Sequence, residues 1–190
     1  ASDVYKRQES ICVKQGAFQY LEYHQARMYK AGFQHVCTLP ALLAEAKGQA
    51  SETQASNLVK CRVLYDTQAI QAITFAPYLP QPPKTLKLIE APHLAYALKY
   101  ADRGEIEALK TLKEDADDIL ITQAGYITDT SYCNIAFFDG KAWFTPHKPL
   151  LEGTARARLL AEGIIQLAPI HVKDLPAFLR WQVFNAMLPF

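Results

Sequence analysis

Residues 125–154 read GYITDTSYCNIAFFDGKAWFTPHKPLLEGT. Two β-rich runs, NIAFF and KAWFTP, are joined by Asp139 and Gly140, a dipeptide that favours a tight turn between antiparallel strands. Short polar residues flank this predicted hairpin: TDTS precedes it, and LEGT follows it directly before a predicted helix. A hairpin does not need these groups, so the stretch predicts a scaffold with a polar site on both flanks.

Length, composition and charge limit the class of protein. The chain has 190 residues, 50% of them hydrophobic, and a formal net charge of +1. This allows one large domain or two small ones and gives no electrostatic reason to expect nucleic acid or a membrane as partner. No apolar run approaches the roughly 20 residues of a membrane span, and no signal peptide is visible. The widely spaced cysteines indicate a reduced compartment, so we expect a cytoplasmic protein.

The order of predicted elements indicates two lobes. The first eight residues, ASDVYKRQ, resemble a translated sequencing adapter, so we interpret residues 1–8 as a non-native scar and leave them out of the fold. Residues 9–77 predict a small N-terminal lobe of strands and helices. The Pro-rich segment 78–84 is the predicted linker, because proline fixes the backbone and removes hydrogen-bond donors. Residues 85–190, which include Lys99, predict a larger C-terminal lobe. The fold class is α+β.

Two basic residues have both a structural and a chemical interpretation. Lys99 follows the apolar stretch APHLAYAL, where desolvation makes a neutral amine more accessible for a Schiff base. The alternative is a lysine whose stem lies across the surface. Arg27 falls early in a predicted helix, and its guanidinium fork suits a phosphate. The alternative is an ordinary surface arginine.

Two further features lie on the flanks of the hairpin. Gly153 and Thr154 precede a predicted helix, whose N-terminal N–H groups form an anion site or, alternatively, are capped by the threonine. Asp129 ends a strand, where a buried carboxylate needs a cation such as a protonated pyridine nitrogen. Its alternative is an Asx turn. An amine, a guanidinium, a helix N-terminus and a carboxylate together meet the needs of pyridoxal phosphate.

The stretch GYITDTSYCNIAFFDGKAWFTPHKPLLEGTARARLL resembles the core signature of class IV aminotransferases, the fold-type IV pyridoxal-phosphate family. That signature is roughly G-x-[VI]-T-E-x-x-x-x-N-[IVL]-F, then T-P, then L-x-G-[IV]-x-R. Flanking segments are also similar: ESI to the family's F-E-T-I strand, YHQARM to H-x-x-R-[LM], LKYADR to its lysine segment and FNAMLP to its C-terminal segment. The resemblance covers nearly the whole chain from Glu9. It implies a compact version of the two-lobed D-amino acid aminotransferase-like fold.

The resemblance also implies a cofactor, pyridoxal 5'-phosphate, and roles for individual residues. Lys99 would form the Schiff base and move the proton at the substrate carbon. Asp129 would pair with the pyridine nitrogen, in the position where the family usually has glutamate. The predicted hairpin would fix the distance between this carboxylate and the phosphate. The implied partners are a small amino-acid-like substrate and a second copy in a homodimer. The implied phosphate-side residues are Arg27, Thr154, Ala155 and Asn185.

Two motifs favour a lyase within this family. An arginine stands four residues after Lys99 in LKYADR, and FNAML is similar to the lyases' NA[LM]-P. We therefore expect chemistry like that of 4-amino-4-deoxychorismate lyase, which releases pyruvate to give 4-aminobenzoate. The alternative is an aminotransferase acting on a branched-chain or D-amino acid. A third interpretation is a non-catalytic binding protein, which the short N-terminal region and Asp129 suggest.

Overall fold

The computed structural model describes residues 6–34, 38–50 and 57–190 of the chain. The chain forms two units, and the division between them lies at Pro80, inside the predicted linker. The first unit contains the residues up to Pro80 together with Leu98–Asp102, and the second contains Gln81–Ala97 and Arg103–Phe190.

An antiparallel sheet in the order β2-β1-β3-β4 organises the first unit. Alternation of apolar residues along β1 and β3 buries every second side chain against two helices. The shared core includes Ile11, Met28, Leu43 and Val63. The elements are β1 (Arg7–Lys14), β2 (Ala17–Phe18), α1 (Leu21–Lys30), α2 (Leu39–Ala50), β3 (Leu58–Tyr65) and β4 (Ile70–Pro77).

Strand β1 begins inside the segment that the sequence interpretation leaves out of the fold. Arg7 and Gln8 both pair with residues of β3. The side-chain oxygen of Gln8 also accepts a hydrogen bond from Arg62 Nε at 2.8 Å. Both residues are therefore part of the sheet, and their exclusion from the fold is wrong. The sequence GQASETQAS predicts a polar loop over residues 48–56, and residues 51–56 of it lie outside the described part of the chain.

The segment that carries Lys99 belongs to the first unit, although the sequence places it in the C-terminal lobe. Gln8 N donates a hydrogen bond to the carbonyl oxygen of Lys99 at 2.8 Å, and Ala101 N donates to that of Lys6 at 2.8 Å. These bonds join positions about ninety residues apart, which no local sequence pattern predicts. The assignment of Lys99 to the C-terminal lobe is wrong, because Leu98–Asp102 belong to the first unit.

Two sheets and two α-helices organise the second unit. One sheet has the order β5-β6-β7 and the other the order β10-β9-β8-β11. Short 3₁₀ helices lie at Thr111–Lys113 and Val172–Ala177. The elements are β5 (Leu86–Glu90), α3 (Gly104–Lys110), β6 (Asp118–Gln123), β7 (Tyr126–Thr130), β8 (Asn134–Phe138), β9 (Trp143–Pro146), α4 (Thr154–Ala161), β10 (Ile165–Ala168) and β11 (Arg180–Phe184).

The opening hairpin is confirmed as β8 and β9. Asp139 Oδ1 accepts hydrogen bonds from the backbone N–H groups of Lys141 at 2.8 Å and Ala142 at 2.9 Å. Gly140 has a φ of 101°, which only glycine adopts without strain. Strand β8 is buried between its neighbours, with Ile135 fully enclosed. The hairpin is therefore scaffold, and it places Asn134 at the beginning of β8, beside the end of β7.

Candidate cofactor site

The carboxylate of Asp129 is buried at the end of β7 and is held by two distant residues. Asn134 Nδ2 donates a hydrogen bond to Oδ1 at 2.7 Å, and Leu151 N donates to Oδ2 at 2.9 Å. Burial raises the pKa of Asp129 to about 6, although both hydrogen bonds act to lower it. The raised pKa shows that the protein compensates this negative charge incompletely. A carboxylate oxygen accepts more than one hydrogen bond, so the chemistry of Asp129 suits a cationic ring N–H.

An Asx turn does not describe Asp129, because its neighbour makes the local turn. The hydroxyl of Thr130 accepts a hydrogen bond from Cys133 N at 3.0 Å. The side chain of Asp129 instead reaches the backbone of Leu151, twenty-two residues further along the chain. The carboxylate therefore connects the end of β7 to the segment before α4.

Arg156 is a buried cation that the sequence interpretation does not single out. Its Nη2 donates a hydrogen bond to the carbonyl oxygen of Pro146 at 2.8 Å. Burial lowers the pKa of Arg156, while the charges of Asp129 and Glu152 act to raise it. Arg156 is thus the protein's own partial counter-charge for Asp129. The signal was present in the sequence, because Arg156 matches the last position of the L-x-G-[IV]-x-R pattern.

Helix α4 begins without a side-chain cap among the described residues. Gly153 is its N-cap residue, and buried Thr154 is the first helical residue, so Thr154 is not the cap. Helix geometry leaves the first N–H groups, which include that of Ala155, without acceptors within the helix. A phosphate at this end would receive those N–H groups together with the positive end of the helix dipole.

The side chain of Asn185 is engaged in the C-terminal turn. Its Oδ1 accepts hydrogen bonds from Met187 N at 2.8 Å and Leu188 N at 2.9 Å. Its Nδ2 lies within hydrogen-bond distance of Tyr132 O at 3.3 Å and Cys133 Sγ at 3.1 Å. The amide thus ties the turn after β11 to the loop after β7. A direct phosphate contact by Asn185 stays a prediction, and it would replace one of these contacts.

In the first unit, Arg27 is paired with Glu9, a fully buried carboxylate. Arg27 Nε donates to Glu9 Oε1 at 2.9 Å, and Arg27 Nη2 donates to Oε2. His24 Nδ1 lies 2.7 Å from Oε2. Burial acts to raise the pKa of Glu9, but Arg27 and His24 outweigh it and lower the pKa to about 2. Arg27 is therefore not an ordinary surface arginine, since Glu9 fixes the plane of its guanidinium group.

Glu9 and His24 are residues whose roles the sequence interpretation misses. Both were visible as parts of the matched segments ESI and YHQARM, but neither has a local pattern that indicates a buried ion pair.

Lys99 is half-buried, and the residues before it include the buried Leu94 and Tyr96. Arg27 and Lys99 lie in the first unit, and Asp129, Thr154, Ala155 and Asn185 lie in the second.

Replacing Glu9 by glutamine should lower the free energy of unfolding by about 3 kcal/mol at pH 7, because one partner of a buried pair is lost. The folded-state pKa of about 2 lies below the ordinary value of 4.5. The stabilising effect of Glu9 is therefore complete above pH 4.5 and is lost as the pH falls towards 2. Urea unfolding at pH 7 and pH 3 measures this. Glu22→Gln, an exposed change on α1, is the matched control. Equal losses for both variants would contradict the buried pair.

The fold and the family match define a mixed α+β enzyme of the fold-type IV, pyridoxal-phosphate-dependent class. The chain belongs to the class IV aminotransferase family, whose model, described as amino-transferase class IV, matches residues 8–189. Among its relatives is an uncharacterized protein of Haemophilus influenzae, 32% identical over 186 residues, which cover 94% of this chain and 96% of the relative.

Solved structures show the same fold. A proposed 4-amino-4-deoxychorismate lyase from Haemophilus somnus 129pt matches with a TM-score of 0.88 and 31% identity, over 98% of each chain. A proposed amino-acid aminotransferase from Mesorhizobium loti matches with a TM-score of 0.77 and 22% identity, over 97% of this chain and 96% of that one. A hypothetical aminotransferase from Mycobacterium tuberculosis, in a pyridoxal-phosphate-bound form, has a TM-score of 0.73 and 15% identity, over 97% and 78%.

Two further structural findings bear on the expectations from composition. In the part of the chain that is described, no helix is long and apolar enough to cross a membrane. Cys12, Cys61 and Cys133 are all free thiols, and Cys61 and Cys133 are buried.

Proposed function

We propose that the protein is a pyridoxal-phosphate-dependent lyase that converts 4-amino-4-deoxychorismate to 4-aminobenzoate with release of pyruvate. The observation that carries this reaction is the similarity, over nearly the whole of both chains, to the proposed lyase of Haemophilus somnus. The two sequence motifs that favour a lyase support the same choice. The homodimer and the cytoplasmic location stay predictions from the sequence.

Each proposed role follows from the chemistry of a side chain or a backbone group. Pyridoxal phosphate, when bound, withdraws electrons and so stabilises negative charge at the substrate α-carbon. Lys99 binds the cofactor covalently and moves the proton at that carbon. Asp129 keeps a proton on the ring nitrogen, because a buried carboxylate is most stable beside a cation. The phosphate is bound by the guanidinium group of Arg27 and by the start of α4 at Thr154 and Ala155, with Asn185 as a further predicted contact.

Arg103, the arginine of the lyase-like motif, supports the site indirectly. Its Nη2 donates a hydrogen bond to the carbonyl oxygen of Ser131 at 2.7 Å. Its guanidinium group also lies 5.9 Å from the centre of the Tyr96 ring, and Glu107 pairs with it at 3.1 Å. Arg103 thus holds the loop that follows Asp129. This contact gives the arginine a role in the second unit that does not depend on contact with substrate.

A direct assay separates the candidate reactions. Purified protein supplied with pyridoxal phosphate and 4-amino-4-deoxychorismate should release 4-aminobenzoate and pyruvate in equal amounts. A parallel assay supplies branched-chain or D-amino acids with 2-oxoglutarate and follows the new oxo acid. Formation of the oxo acid alone would replace the lyase by the aminotransferase. Protein that takes up no cofactor and turns over neither substrate would favour the non-catalytic interpretation.

A further inference from the structure

The buried side chain of Asn134 joins the two flanks of the opening hairpin. Its Nδ2 donates hydrogen bonds to Asp129 Oδ1 at 2.7 Å and to the carbonyl oxygen of Leu151 at 2.9 Å. The backbone N–H of Leu151 in turn donates to Asp129 Oδ2 at 2.9 Å. The three residues form a closed ring of hydrogen bonds between the end of β7 and the segment before α4. Both N–H groups of the Asn134 amide are used in this ring.

The other end of the same amide packs against the N-cap residue of α4. A Cβ atom added to Gly153 would lie 1.9 Å from Asn134 Oδ1, far inside van der Waals contact. The φ of Gly153 is −67°, an ordinary value for any residue. Glycine is therefore required here by space and not by backbone conformation. Asn134 thus touches the carboxylate through its nitrogen and the helix start through its oxygen.

We propose that Asn134 is a positioning residue that fixes the distance between the Asp129 carboxylate and the anion-binding start of α4. This inference rests on the proposed function, which assigns the carboxylate to the ring nitrogen and the helix start to the phosphate. It also adds a side chain to the predicted role of the hairpin, because Asn134, at the beginning of β8, contacts both flanks. Both ends of the cofactor then meet a site that is formed in advance, which reduces the cost of ordering on binding.

Removal of the amide should loosen both ends at once. Without it, Asp129 Oδ1 and the Leu151 carbonyl lose their donor, and buried polar groups without partners are costly. The carboxylate would relax towards other donors, and the Leu151–Gly153 segment would lose its attachment to β8. A residue that held Asp129 alone would affect the ring end only. The number of ends affected therefore distinguishes the proposal from a simpler role.

The experiment measures the affinity of each variant for three probes, by competition and by direct titration. Pyridoxine carries the ring nitrogen without aldehyde or phosphate, inorganic phosphate reports on the helix start, and pyridoxal phosphate reports on both. Asn134→Ala should weaken pyridoxine and phosphate about tenfold each, equivalent to about 1.4 kcal/mol per end, and pyridoxal phosphate about 100-fold. As matched controls, Asp129→Asn should weaken pyridoxine and leave phosphate unchanged, and Thr154→Ala should do the reverse.

The same measurements decide against the proposal if the outcome differs. An Asn134→Ala protein that loses pyridoxine affinity and keeps phosphate affinity would show that the amide holds Asp129 only. A lower unfolding temperature with unchanged affinities would show a purely structural role. If Asn134→Ala does not fold by circular dichroism, Asn134→Ser undergoes the same comparison. Failure of the wild-type protein to bind any of the three probes would instead refute the proposed function.

Discussion

Replacing Lys99 by alanine should abolish turnover, with a loss of at least about 10³-fold, because one residue supplies both covalent binding and proton transfer. The variant should still bind the cofactor, since Arg27, Asp129 and the start of α4 remain. The yellow absorbance of the lysine-bound cofactor should disappear. Visible absorbance spectra, with steady-state rates on the substrate that proves active, measure both effects.

Chemical trapping gives the same prediction a second, independent readout. Borohydride should fix the cofactor covalently to the wild-type protein, and peptide mass spectrometry should place the label on Lys99. Lys141→Ala, a change at an exposed lysine of the β8–β9 turn, is the matched control and should keep colour, labelling and rate. Label on another lysine, or activity retained by Lys99→Ala, would contradict the role of Lys99.

The sequence predicted those elements of the fold whose signals are local. The turn at Asp139–Gly140 has strong turn chemistry, and the strands on either side of it, β8 and β9, were found. Strand β10 was missed because IQLA is a run of only four residues with exposed positions. It becomes a strand by pairing in parallel with β9 after the α4 crossover, which is a tertiary contact.

As for the fold, the sequence predicted those parts of the site that have local signals. Asp129 and the start of α4 follow from residue type and position, and the structure connects them through Leu151. The residues that hold the predicted site residues in place, Arg27 among them, were missed or left without a role. Glu9, His24, Asn134 and Arg156 act through contacts with residues 10 to 18 positions away, and each is polar and buried. A buried polar residue has no distinctive pattern in one sequence, because its partner defines it.

Replacing Asp129 by asparagine should reduce turnover by about 10²- to 10³-fold, because a neutral amide cannot keep a proton on the ring nitrogen. The amide oxygen can still accept the hydrogen bond from Leu151, so the fold should be retained. Glutamate, the usual residue of the family at this position, is not expected to improve the enzyme. An additional methylene group in a fully buried site costs roughly 1–3 kcal/mol and would displace Asn134.

In the absence of cofactor, the charge of Asp129 should lower the free energy of unfolding, although activity requires that charge. The folded-state pKa of Asp129 is raised to about 6 from an ordinary 3.8. Without cofactor, the charged form is therefore disfavoured in the folded protein, and stability is lost as the pH rises from about 4 to about 6. Asp129→Asn has no charge to bury, so the free energy of unfolding of the cofactor-free wild type should fall relative to that of the variant across this interval and stay at the lower relative value at pH 7. Urea unfolding at pH 4 and pH 7, with Asp115→Asn as the exposed control, tests this.

Bound cofactor should remove this relative loss of stability in the wild type. That result is expected if the carboxylate pairs with the ring nitrogen. A bound pyridinium cation compensates the charge of Asp129, so saturating pyridoxal phosphate should stabilise the wild type more than Asp129→Asn at pH 7. A structural aspartate would gain nothing extra from the ligand. Equal stabilisation of both proteins by the cofactor would remove Asp129 from the ring-nitrogen role. A larger stabilisation of the wild type by cofactor would show that the shorter carboxylate, held by Asn134 and Leu151, pairs with the ring nitrogen as the family's glutamate does.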